Sequence, residues 1–101
     1  MAANDPLRVP DDFWLRERVQ NAVKARDMGS LFGLLKQYLG ASQGQTGVTV
    51  DLAQGYVSKV MSGERRIVAI DVLERIAIGL RMPDPLRMVM GLAPVDMQAS
   101  Q

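Results

Sequence analysis

Gln54, Gly55, Tyr56, Ser58 and Lys59 lie within six consecutive positions, and Arg65 and Arg66 follow shortly after. On a helix starting near Gln54, Val57, Val60 and Met61 point to one side and these five residues to the other. An amide, a phenol, a hydroxyl, an ammonium and two guanidiniums are groups that reach base edges and phosphates when a helix lies in a major groove. Gln54 suits bidentate pairing with adenine, and Tyr56 suits a thymine methyl or a phosphate. Gly55 leaves room for close approach of the helix end. A good base contact of this kind discriminates by roughly 1–3 kcal/mol. The plainer reading of Lys59, Arg65 and Arg66 is a solvated surface.

Other chemistries are poorly served. The 101 residues include no cysteine and no histidine, which removes disulfides, thiolate metal sites and most acid–base catalysis. The acidic residues fall at expected helix starts and on polar faces, without the convergence that paired-carboxylate catalysis needs. Gly40, Gly44 and Gly47 do not follow a strand, so they form no dinucleotide loop. No enzyme activity, metal or cofactor is expected. The net charge of +1 is low for a nucleic-acid binder, but Lys59, Arg65 and Arg66 cluster while Asp5, Asp11, Asp12, Glu17 and Asp27 lie towards the start. A 48% hydrophobic and 23% charged composition suits one ordinary globular domain. The stretch MAANDPLRVPDD has neither a basic nor an apolar run, and no apolar run reaches about 18 residues, so a cytoplasmic, nucleoid-associated protein without membrane attachment is expected.

The outward face needs a frame. A short helix starting near Gln43 places Thr46, Gly47 and Val50 inward, and Leu52 fills the corner before the second helix. Gly47 supplies the small position that two steeply crossing helices need. Asp51 takes the corner, where glycine is the easier residue, and Ala53 gives up roughly 1 kcal/mol of capping. Gly44, Thr46, Gly47, Val48, Thr49 and Val50 are weak helix formers, so neighbours must hold this helix. Around the pair, a helix is expected from Asp11, with Leu15, Val19, Ala22 and Val23 on one face and Phe13 and Trp14 in its first turn as core or staple. Residues 26–30 break the pattern. A second helix then carries Leu31, Phe32, Leu34, Leu35, Tyr38 and Leu39 between a Ser30 cap and a closing Gly40. Ile70, Leu73, Ile76, Ala77 and Leu80 line a helix with Asp71 near its start, and a last one runs from Pro85 to Gly91. Three of the seven methionines lie between Met82 and Met90, as core filling or as an adaptable contact surface. The expected fold is an all-α bundle of five or six helices over residues 11–94. A disordered arm (1–10) precedes it and a disordered tail (95–101) follows.

The stretch SQGQTGVTVDLAQGYVSKVMSGERR, from Ser42 to Arg66, resembles the helix-turn-helix of Cro/phage-repressor-type bacterial regulators, the xenobiotic-response-element family. The similarity extends through IDVLERIAIGLRMPDPLRMVMGLAP and covers roughly Asp27 to Pro94. It implies a lambda-repressor-like fold with residues 42–61 as the DNA-reading unit. It also implies that Gln43 touches a phosphate, that Gln54 opens the recognition helix, and that Val57 and Ser58 follow one turn later. Asp51 and Ala53 depart from the family's glycine and Ser/Thr cap.

Two functions stay open. One is a sequence-specific regulator of double-stranded DNA, working as a homodimer through the region around Leu86 to Leu92. The other is an interaction module that keeps the fold but has lost or weakened DNA binding and regulates a partner protein. Asp51, Ala53 and the modest charge favour the second; Gln43, Gln54, Ser58, Lys59, Arg65 and Arg66 favour the first. The chain reads either as a complete small regulator or as the first domain of a longer one.

Overall fold

The computed structural model describes residues 5–95. Pro10 starts the first element, a 3-10 turn over Asp11–Leu15 with two aspartates at its head. Phe13 and Trp14 are both buried, and their rings meet edge to face at 5.2 Å. The expected continuous α-helix from Asp11 is instead a 3-10 turn followed by a separate helix. Two consequences correct the sequence reading. Arg16 is extended, so α1 runs over Glu17–Lys24, and Leu15 lies 75% exposed instead of joining Val19, Ala22 and Val23 in the core.

The second helix, α2, spans Met28–Leu39 and starts earlier than expected. Its cap is Asp27, not Ser30. The Ser30 amide donates to Asp27 Oδ1 at 3.1 Å, and the Ser30 hydroxyl donates to Oδ2 at 2.7 Å. These bonds, the hydroxyl's first, and the nearby Arg66 charge hold the Asp27 carboxyl below its ordinary value. Gly29, expected in a break, is a packing position, since a Cβ there would sit 2.5 Å from the Val60 carbonyl oxygen. Gly40 ends the helix in the left-handed region, as its position suggests.

Then come α3 (Gln43–Val50), α4 (Gln54–Ser62), α5 (Ile70–Leu80) and α6 (Asp84–Val89). The protein is all-α, with no strand among the described residues. Helix α4 packs on α2 and α3, α5 backs α3, and α6 lies against α1. The core joins Phe13, Val19, Val23, Leu31, Leu35, Val50, Val57, Leu73, Ile76 and Leu80. Ile70, expected on the inner face of α5, is exposed because it lies at the very start of the helix. Of the methionines near the end, Met82 and Met90 are core and Met88 is exposed.

The arm expected to be loose is attached in its described part. The Leu7 amide donates to Thr49 Oγ1 at 2.7 Å, and Leu7 and Val9 pack against the core. At the other end, the Val95 amide donates to Asp84 Oδ1 at 2.8 Å, and the rest of the expected tail, 96–101, lies outside the described residues. No helix among the described residues is long and apolar enough to cross a membrane.

Candidate nucleic-acid interface

The α3–α4 pair is built on a tight corner. Ser42 caps α3 by accepting from the Gln45 amide at 3.0 Å, and Thr46, Gly47 and Val50 face inward. Asp51 is left-handed at φ 59, and the Leu52 amide donates to the Gly47 carbonyl at 2.8 Å. A Cβ at Gly47 would meet the Leu52 carbonyl oxygen at 2.5 Å, so the corner closes only over glycine. Arg75 of α5 donates through Nη1 to the Asp51 carbonyl at 3.3 Å, pinning the corner from outside. That contact leaves no trace in the local sequence pattern, because it joins residues on different elements.

After Ala53, which makes no side-chain cap bond, α4 turns Val57 and Val60 into the core. Its outward side carries Gln54, Gly55 and Lys59, all exposed, with Tyr56 and Ser58 half-buried. A Cβ built at Gly55 meets nothing within 4 Å, so the fold does not require glycine there. Gly63 ends α4 in the left-handed region, and the Arg65 amide donates back to the Lys59 carbonyl at 3.1 Å. The loop thus folds over the end of α4 and brings the Arg65 guanidinium to 5.9 Å from the Tyr56 ring centroid. Gln43 stands half-buried at the start of α3. No protein-family model, curated protein or solved structure matches the chain.

Arg66 is placed differently from its neighbour. It is exposed, yet its Nη2 donates to the Ala25 carbonyl at 3.2 Å, at the C-terminal end of α1. A cation there satisfies a terminal helix carbonyl and faces the negative end of the dipole. Lys59 and Arg65 therefore carry exposed positive charge beside α4, whereas Arg66 ties the loop to the bundle. Asp51 and Glu64, both exposed, add negative charge at the edges of the same surface. The arrangement offers hydrogen-bonding groups at the head of α4 and two cations further along. With this mixed charge, contact with nucleic acid would rest on matched positions rather than on a broad positive field.

Proposed function

We propose that the chain is a sequence-specific regulator of transcription that reads the major groove of double-stranded DNA with α4, in the manner of the Cro/phage-repressor helix-turn-helix family. The observation that carries this reading is the uncovered outer side of α4, where Gln54, Gly55 and Lys59 are exposed on a helix held by its other side. In this reading Gln54 pairs with adenine, Ser58 and Tyr56 contact the groove wall, and Lys59 and Arg65 neutralise phosphates. Gln43 binds a phosphate at the start of α3. Arg66 contributes by fixing the loop, with its exposed edge left for a phosphate. One such module reads few base pairs, so a homodimer on a palindrome with half-sites about 34 Å apart supplies specificity. The regulator then acts on the nucleoid in a bacterial cytoplasm.

Selection from a random duplex pool at two salt concentrations tests this. The expected result is an enriched palindrome whose affinity falls as salt rises. The double substitution Gln54→Ala/Lys59→Ala removes that enrichment while leaving the helical content and unfolding midpoint nearly unchanged. A folded chain that enriches no sequence at either salt supports the second reading, a protein-interaction module. Exposed Met88 and Val89 on α6 favour that alternative, since they offer an apolar contact.

A further inference from the structure

Between α5 and α6 lies a cavity of about 830 Å³. Small-molecule sites commonly enclose roughly 300–1,000 Å³. One wall is apolar, from Ala77, Ile78, Met82 and Pro83, and Arg81, Arg87, Glu74 and Asp84 add charge of both signs. Arg87 is the unusual member, an arginine only 3% exposed. Its Nε donates to the Ala93 carbonyl at 2.9 Å, and its Nη2 donates to the Glu74 carboxylate. Its Nη1 is buried and has no hydrogen-bond partner among the described residues. A buried donor left unmet costs about 1–3 kcal/mol, and more on a charged group, so an acceptor oxygen at Nη1 would be stabilised by meeting it.

The charges around the cavity narrow the ligand's chemistry. Glu74 already faces Arg87, and one oxygen of Asp84 accepts from the Val95 amide. Arg81 is exposed at the rim, held in the left-handed region at φ 56, and adds a second cation. A carboxylate oxygen accepts a stronger, charge-assisted bond from the one open donor, Nη1, than a neutral acceptor does. The apolar wall suits a hydrocarbon body behind it. We infer that this cavity binds a small amphipathic carboxylate, its head on Arg87 Nη1 beside Arg81 and its apolar part along Ala77, Ile78 and Met82. Nη1 is closed to bulk water, so entry requires movement. The neighbouring Glu74 side chain, which keeps 36% exposure and bonds Arg87, would have to give way. The site is independent of whether α4 reads DNA.

The test is a titration of the full chain with octanoate, followed by amide chemical shifts, with octylammonium as the oppositely charged control. Saturable shifts are expected at Ile78, Arg87 and Val95 with millimolar octanoate, and none with octylammonium. Ile78→Glu changes an exposed residue of the wall, so it leaves the fold intact while weakening octanoate by about tenfold or more. Arg87→Lys keeps the charge but loses the fork, and weakens binding similarly. The inference is overturned by an absence of saturable shifts, by an equal response to octylammonium, or by undiminished binding in folded Ile78→Glu.

Discussion

Gly55 and Gly79 are both helical glycines, yet they do opposite things. A Cβ at Gly79 would lie 2.1 Å from the Thr49 carbonyl oxygen and 3.1 Å from the Val50 Cα, whereas one at Gly55 meets open space. Gly79→Ala is therefore expected to force α5 off α3 and destabilise by about 1–3 kcal/mol or more. Gly55→Ala should stabilise by up to about 1 kcal/mol through helix propensity. Urea unfolding checks both, and if α4 reads DNA the stabilised Gly55→Ala variant will bind its selected site more weakly. Destabilisation by Gly55→Ala would show that the site has contacts the geometry does not give it. The inward positions of α3 and α4 were legible in the sequence, because apolar spacing reports which side of a helix is buried. Gly79 was not, since a glycine's role depends on which backbone arrives opposite it. The buried Arg87 escaped notice for the same reason: its partners Glu74 and Ala93 sit on other segments.

Among the elements, boundaries differed where a side-chain bond outweighed the apolar pattern. The start of α2 was placed near Ser30, because the spacing of Leu31 and Leu35 begins there, yet Asp27 caps one turn earlier by accepting two bonds from that serine. This cap has a titration signature. The Asp27 carboxyl is held below its ordinary value in the folded protein, so the stability it contributes is fully present above the pH where the unfolded chain's carboxyl titrates. It is lost as pH falls through the folded carboxyl's value. Asp27→Asn, which still caps, should flatten the acid side of a plot of melting temperature against pH while changing neutral-pH stability by under about 1 kcal/mol. An unchanged acid slope would place the responsible carboxyl elsewhere. The break at Arg16 carries no periodic signal either, since Phe13 and Trp14 are adjacent in sequence and both buried.

For the whole molecule, the first described residues and the α3–α4 unit form one body. The Leu7 amide reaches Thr49 Oγ1, and that hydroxyl in turn donates to the Gln45 carbonyl at 2.8 Å. Thr49→Val removes both bonds without changing the side chain's shape. It is expected to cost about 1 kcal/mol and to expose the Leu7 amide to rapid hydrogen exchange while α4 amides stay protected. Retained protection at Leu7 would mean that packing of Leu7 and Val9 alone holds the segment. The all-α architecture was legible because successive apolar stripes at helical spacing admit little else, whereas the attached N-terminal segment depends on a backbone donor that carries no sequence signal. The three close glycine approaches, at 29, 47 and 79, have another effect. There main chain rests on main chain, with no side chain between. The placement of α3 and α4 is thereby set by main-chain atoms, so exchanges at the exposed residues 54, 55 and 59 leave these contacts untouched. The scaffold thus separates change in what α4 presents from change in where it stands.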